Sequence, residues 1–171
     1  GLFAGLGPDQ IRQAFVSFSG IARRQQLRGE VRGVKVIDDF AHHPTAIRQA
    51  IMAFRQRYPD SRIWAIFEPR SNTTRRNIFQ VELAEALAGA DRAVVPAISD
   101  PGKFAECERL DPERLVRDVV SLGGNAVYIP TVGEIARHVA MHAREHDVIA
   151  VLSNGGFGGL HDLLLSTLGE E

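Results

Sequence analysis

Residues 34–45 read Val-Lys-Val-Ile-Asp-Asp-Phe-Ala-His-His-Pro-Thr, a sequence that joins a strand to a helix through a polar turn. β-Branched residues dominate positions 34–37 and favour a strand, which is predicted to end at Asp38-Asp39. Pro44 suits the first turn of a helix, because its missing N–H would have no partner there. The segment therefore predicts one strand–helix unit with carboxylates and imidazoles at the turn.

The sequence on the N-terminal side of this unit predicts a hairpin and, before it, the end of another domain. Residues 27–31 alternate in polarity and are followed by Arg32-Gly33, which favours a tight turn between two antiparallel strands. Residues 1–24 carry only a short helical pattern and are predicted to be the tail of a preceding domain plus a linker. Since the chain begins with Gly1 and not Met, we expect a fragment whose main domain covers residues 25–171.

On the C-terminal side, apolar runs alternate with helical patterns. A continuous apolar run such as residues 63–67 is typical of a strand covered on both faces. Further strands are predicted at 93–97, 126–129 and 148–152, and helices at 44–54, 79–87, 112–122, 135–139 and 160–168. This order predicts an α/β fold, Rossmann-like, with a mostly parallel, doubly wound sheet that carries an N-terminal β-hairpin.

Composition narrows the function. The 171 residues include 20 Lys and Arg against 21 Asp and Glu, so there is no basic field to hold nucleic acid. The single cysteine, Cys107, excludes an internal disulfide and favours a reducing compartment, so a cytoplasmic location is expected. No apolar run reaches the roughly 20 residues that span a bilayer, and no signal peptide is recognisable.

In parallel α/β sheets, ligands bind outside the carboxyl ends of the strands, which directs attention to three segments. In the first, residues 38–45, two carboxylates and two imidazoles suit a ribose hydroxyl, a phosphate or a metal ion. The alternative is a capping carboxylate with solvated histidines. Metal binding by both His42 and His43 is disfavoured, because neighbouring side chains usually diverge.

The second segment, residues 68–76, reads Glu-Pro-Arg-Ser-Asn-Thr-Thr-Arg-Arg after a buried strand and is predicted to open a helix. Arginine forks bind carboxylate or phosphate in pairs of hydrogen bonds, and a helix N-terminus adds N–H donors. Anion binding is one interpretation. A helix capped by Asn72 with exposed arginines is the other.

The third segment, residues 153–159, reads Ser-Asn-Gly-Gly-Phe-Gly-Gly and would let backbone N–H groups approach a ligand closely. It lacks the G-x-G-x-x-G spacing of dinucleotide-binding domains. The chain also lacks a G-x-x-x-x-G-K-[S/T] loop, since its one Gly-Lys pair is Gly102-Lys103. This chain alone is therefore not expected to hold a nucleoside triphosphate.

Three histidines, His138, His142 and His146, follow one another at intervals of four residues. This spacing can place imidazoles on one helix face as zinc ligands, but no carboxylate or cysteine partner is indicated. A solvated helix face is the favoured interpretation.

The sequence resembles the C-terminal domain of the Mur ligases through residues 38–45 and through the glycine loop, residues 153–159, before the last helix. The resemblance covers roughly residues 23–168. Segments 67–73 and 153–161 are most similar to members that join UDP-N-acetylmuramate to the tripeptide L-alanyl-γ-D-glutamyl-meso-diaminopimelate in peptidoglycan recycling. The members that add L-alanine typically have Gln-Pro-His-Arg where residues 68–71 read Glu-Pro-Arg-Ser.

The resemblance implies an ATP-dependent ligase in which ATP phosphorylates the muramate carboxylate and the acceptor amine attacks the acyl phosphate. It also implies that ATP, Mg2+ and UDP-N-acetylmuramate are bound mainly by other domains, and that this domain closes over the acceptor peptide without supplying a catalytic residue. By resemblance, Asp39 and His42 contact the nucleotide, while His42 and His43 orient the reactants. The implied acceptor-binding residues are His43, Arg70, Asn72, Thr73, Arg75, Arg76, Ser153, Asn154, Gly155 and Gly156.

Three alternatives remain at this point. The first is the corresponding domain of the L-alanine-adding ligase, and the second is a stand-alone module that binds a nucleotide or peptide. The third is a small metal hydrolase that uses His42 and His43.

Overall fold

The structure, a computed structural model, describes residues 4–17, 21–99 and 104–170. The Gly102-Lys103 pair and the N-terminal Gly1 lie outside these residues. Within the described residues the six strands are β1 (Gln26–Val31), β2 (Val34–Asp39), β3 (Ile63–Phe67), β4 (Arg92–Val95), β5 (Ala126–Tyr128) and β6 (Val148–Leu152). The α-helices are α1 (Pro8–Ser17), α2 (Pro44–Arg57), α3 (Gln80–Leu87), α4 (Pro112–Ser121), α5 (Val132–His142) and α6 (Leu160–Glu170).

The strands form one sheet in the order β1-β2-β6-β3-β4-β5. Every neighbouring pair is parallel except β1 with β2, which form the predicted antiparallel hairpin. The predicted α/β, mostly parallel, doubly wound sheet with an N-terminal hairpin is therefore confirmed. None of the helices in the described residues is long and apolar enough to cross a membrane.

Helices cover both faces of the sheet because its central strands are apolar on both sides. All residues of β3 and β6 are buried. One face packs against α2, α3 and α4 around Phe54 and Leu87, and the other packs against α5 and α6 around Ile135 and Leu164. No residue of α1 is buried, and the assignment of residues 1–24 to a preceding domain stays a prediction.

The predicted turn Arg32-Gly33 has positive φ at both positions, 53° and 73°. Positive φ at both central residues is the signature of a type I′ turn, whose twist matches that of a hairpin. The Gly33 position is therefore one at which any side chain adds steric strain.

Gly33→Ala is expected to lower the free energy of unfolding by about 1 kcal/mol, because alanine disfavours left-handed backbone. The new Cβ would also lie 2.7 Å from the flexible Glu145 side chain. Urea unfolding followed by circular dichroism measures the change. Gly133→Ala is the control, since that helical glycine has open space around it and should be neutral or stabilising. Equal losses in both variants would contradict a specific role for the turn.

One element prediction is wrong. The helix expected to open within residues 68–76 begins later, with a short 3-10 turn at Asn77–Phe79 that continues into α3. In its place Ser71 closes a single turn, accepting from the Arg75 N–H at 3.0 Å through its carbonyl and from the Thr74 N–H at 3.1 Å through its hydroxyl. Asn72 therefore does not cap a helix.

Candidate functional site

The carboxyl ends of three neighbouring strands bring the three polar segments together. Leu152, the last residue of β6, pairs with Asp39 of β2 on one side and with Phe67 of β3 on the other. The segments that follow, starting at residues 40, 68 and 153, therefore leave the same edge of the sheet. This edge carries the candidate site.

Asp39 is only 6% exposed, and backbone N–H groups satisfy its carboxylate. One oxygen accepts from the Gln25 N–H at 2.9 Å and the other from the Ala41 N–H at 2.8 Å. The carboxylate thus fastens the segment before β1 to the turn after β2. A carboxylate oxygen has more than one lone pair, so each can still accept a hydrogen bond from a ligand hydroxyl.

A cavity of about 560 Å3 lies beside Asp39, between the segment before β1 and helix α2. The ionisable side chains that line it are Arg24, Asp39, His42 and Arg57. With two guanidinium groups and one carboxylate, the cavity favours an anionic ligand. From the sequence, Arg24 was placed in the linker and missed as a cavity residue. The one sequence feature that points to it is its position just before the hairpin, next to a second arginine.

His42 and His43 diverge, as expected for neighbouring residues. The Nδ1 of His42 donates to the Phe40 carbonyl at 2.9 Å, so in the neutral ring the Nε2 is the acceptor. The ring of exposed His43 instead meets Phe79 edge-on, with centroids 4.6 Å apart. His42 therefore serves the cavity beside Asp39, and His43 faces the start of α3.

The glycine loop packs against the end of β3. Ser153 is fully buried, and its hydroxyl donates to the Glu68 carboxylate and accepts from the Gly155 N–H at 2.9 Å. A Cβ at Gly155 would lie 2.6 Å from the Cδ of Arg70 and would overlap its guanidinium. A side chain at position 155 would therefore displace the Arg70 guanidinium from the loop backbone.

The three arginines of residues 68–76 have different surroundings. Arg75 is buried and donates to the Asn72 side chain at 2.8 Å, and Arg76 forms an ion pair with Glu108 at 2.9 Å. Both guanidinium groups lie over the Phe104 ring, 5.7 and 5.6 Å from its centre. The alternative interpretation, a capped helix with three exposed arginines, therefore does not hold for Arg75.

Arg70 differs from both, because it is exposed and forms no hydrogen bond or ion pair within the described chain. Its guanidinium lies against the backbone of Gly155. This leaves the whole fork available to a carboxylate. The exposed Asn72 and Thr73 line a separate cavity of about 280 Å3 with Arg76 and Phe104.

The three histidines at intervals of four do not share one helix face. Helix α5 ends at His142, and His146 lies beyond it with a φ of 73°. The rings of His138 and His142 stack with centroids 4.3 Å apart. Burial, followed by the nearby His142 and Arg92, lowers the pKa of His138. In the described residues, no three His, Cys, Asp or Glu side chains are grouped to hold a metal ion.

Comparison with known proteins places these segments in a family. Residues 23–155 match the family described as Mur ligase, glutamate ligase domain. The chain is 37% identical over 172 residues to the UDP-N-acetylmuramate–L-alanyl-γ-D-glutamyl-meso-2,6-diaminoheptandioate ligase of Escherichia coli K12, covering 98% of this chain and 35% of that protein. It is 35% identical over 170 residues to the UDP-N-acetylmuramate–L-alanine ligase of Bifidobacterium longum subsp. infantis, covering 96% and 33%. The chain thus spans about a third of the length of these relatives.

Solved structures give the same result. The murein peptide ligase of Psychrobacter arcticus 273-4 matches with a TM-score of 0.77 and 34% identity over 93% of this chain and 32% of that one. A domain from a Haemophilus ducreyi 35000HP protein, assigned as a UDP-N-acetylmuramate:L-alanyl-γ-D-glutamyl-meso-diaminopimelate ligase, matches with a TM-score of 0.66 and 32% identity. It covers 85% of this chain and 99% of that one, so the similar domain has been crystallised without the rest of its protein.

Proposed function

The chain belongs to the Mur ligase family, whose C-terminal domain it contains, and we propose that its parent enzyme joins UDP-N-acetylmuramate to the tripeptide L-alanyl-γ-D-glutamyl-meso-diaminopimelate. ATP is converted to ADP and phosphate in this reaction. Two relatives with different acceptors are 37% and 35% identical, so overall similarity does not choose the acceptor. The choice comes from the site.

The observation that carries the proposal is the guanidinium of Arg70, which lies on the backbone of Gly155 and has no hydrogen-bond or ion-pair partner among the described residues. In the tripeptide, the alanine carboxyl is already part of an amide, so the free carboxylates belong to glutamate and diaminopimelate. An exposed fork just after the end of β3 suits such a carboxylate at a distance from the reacting amine. This arrangement accompanies the Glu-Pro-Arg-Ser sequence of residues 68–71.

The cavity beside Asp39 is the proposed nucleotide contact of this domain. Its arginines, Arg24 and Arg57, offer positive charge to phosphates, and the free Nε2 of His42 accepts a hydrogen bond. The second lone pairs of the Asp39 oxygens suit ribose hydroxyls. The phosphate loop and the ligands of Mg2+ are assigned to the remaining two thirds of the parent enzyme.

The domain acts by closing over a reaction that the rest of the enzyme begins. When the muramate carboxylate has become an acyl phosphate, a closed domain excludes water that would hydrolyse it. The same closure holds the acceptor amine next to the acyl carbon that it attacks. The reaction between two bound substrates then becomes effectively intramolecular. Such chemistry on a UDP-linked sugar suits the cytoplasm and a role in peptidoglycan recycling.

The test is ATP-dependent joining by the full-length parent enzyme, measured as phosphate release and as product mass. With UDP-N-acetylmuramate present, tripeptide should be joined with a kcat/KM at least about 100-fold above that for L-alanine. The 171-residue chain alone should turn over neither acceptor. Joining of L-alanine alone would identify the alanine-adding ligase. If neither acceptor is joined, a nucleotide- or peptide-binding module is the better interpretation.

A further inference from the structure

Arg23 connects the segment before the hairpin to the glycine loop. Its Nη2 donates to two carbonyls of that loop, Ser153 and Gly155, each at 2.7 Å. Its Nε donates to the Asp38 carboxylate at 3.2 Å, and its guanidinium lies 5.2 Å from the centre of the Phe40 ring. One side chain therefore spans 130 residues of sequence and touches two strand ends.

Buried groups fix the position of this guanidinium. Asp38 is 2% exposed, and its carboxylate also lies 3.4 Å from the Nε2 of buried His161 and 3.8 Å from Arg28. The backbone of Arg23 is held as well, since its carbonyl accepts from the Phe40 N–H at 2.8 Å. With Nε directed to Asp38, Nη2 is left to reach the loop.

The two loop carbonyls point at one atom, and this determines where the loop's N–H groups point. In a planar trans peptide the N–H is directed opposite to the C=O. The N–H groups of Asn154 and Gly156 are therefore turned away from Arg23, and neither has a hydrogen-bond partner among the described residues. The Gly155 N–H, in contrast, is occupied by the Ser153 hydroxyl.

We propose that Arg23 is a positioning residue, which orients the glycine loop so that the Asn154 and Gly156 N–H groups face the acceptor peptide. The two N–H groups lie in the same loop as Gly155, on which Arg70 packs, and carbonyl or carboxylate oxygens of a peptide are the acceptors that such donors bind. The part that concerns the acceptor rests on the proposed function. The part that concerns the loop does not.

Arg28→Gln provides a matched control. Arg28 also pairs with Asp38, at 3.8 Å, and with Asp162 at 3.5 Å, but none of its ion pairs or hydrogen bonds within the described chain reaches the glycine loop. Both substitutions, Arg23→Gln and Arg28→Gln, remove one positive charge beside the same carboxylate. Arg23→Lys keeps the charge but lacks the fork that reaches a carboxylate and two carbonyls together.

The first measurement is amide hydrogen exchange in this 171-residue chain. A similar domain has been crystallised without the rest of its protein, so the chain is suited to study alone. In Arg23→Gln and Arg23→Lys, the Ser153 and Gly155 amides should exchange about tenfold faster than in the unchanged chain, while amides of β3 keep their rates. Arg28→Gln should leave the loop unchanged. Loop exchange that is unaltered in the Arg23 variants, or equally raised in Arg28→Gln, overturns the proposal.

The second measurement is steady-state kinetics of the full-length enzyme. Arg23→Gln should raise the KM for tripeptide about tenfold and leave the KM for UDP-N-acetylmuramate within about twofold, while Arg28→Gln changes neither. Faster loop exchange with an unchanged tripeptide KM would overturn the acceptor-facing role. If the unchanged enzyme joins neither acceptor, the proposed function fails, and the exchange rates still decide whether Arg23 orients the loop.

Discussion

Asp147→Ala is expected to lower the free energy of unfolding of this chain by about 3 kcal/mol. The carboxylate is 2% exposed and lies just before β6, at the opposite end of the sheet from the candidate site. It accepts from the Arg62 guanidinium at 2.8 and 2.6 Å, from the Trp64 indole at 3.0 Å and from the Arg144 N–H at 2.9 Å. The substitution would leave the donor of a fully buried tryptophan without a partner.

The expected value is at the lower end of the range for breaking a buried ion pair, about 3–5 kcal/mol. Arg62 is 28% exposed and can turn towards water, so only part of the desolvation cost remains after its partner is removed. Urea unfolding followed by circular dichroism and by Trp64 fluorescence measures the loss.

Glu113→Ala is the matched control for Asp147→Ala. Its ion pair with Arg117 spans 3.9 Å between side chains that are about two-thirds exposed. Exposed pairs of this kind contribute less than about 1 kcal/mol. If Asp147→Ala cost no more than this control, the carboxylate would not be a structural anchor.

The fold could be predicted because its signals are local. Apolar runs such as residues 148–152 and the Arg32-Gly33 turn specify strands and a hairpin from neighbouring positions alone. Alternation of strands and helices then leaves few topologies. The prediction that was wrong is the helix opening within residues 68–76, where Arg76 instead forms an isolated bridge to Arg109 and packs on Phe104. Contacts about 30 residues apart leave no mark on local periodicity.

The candidate site was predicted less completely, for the same reason. The three segments at the strand ends were identified, and their meeting follows from parallel strands. The role of Arg23 depends on Asp38 and on loop carbonyls 130 residues away, so sequence spacing assigned it to a linker. Spacing likewise cannot distinguish the three nearby arginines. Only the structure shows that Arg75 is buried and that Arg76 forms an ion pair with Glu108.

Arg70→Ala is expected to lower kcat/KM for the tripeptide about 100-fold in the full-length enzyme, the loss expected when a charge-assisted fork to a carboxylate is removed. Stability should change by less than about 0.5 kcal/mol, because Arg70 is exposed and forms no ion pair in the described chain. Arg70→Lys should retain part of the rate, since it keeps the charge and loses the paired geometry. Phosphate release at varied tripeptide concentration measures these changes.

Gly155→Ala supplies an independent route to the same loss. Its Cβ would occupy the space of the Arg70 guanidinium, so the fork must move although its charge remains. Arg117→Ala, at an exposed arginine on α4, is the control for charge and should leave kcat/KM unchanged. A carboxylate role requires that Arg70→Ala and Gly155→Ala both weaken use of the tripeptide more than use of a tripeptide amide that lacks the recognised carboxylate. Equal losses with both acceptors would show that Arg70 acts on the loop and not on the peptide's charge.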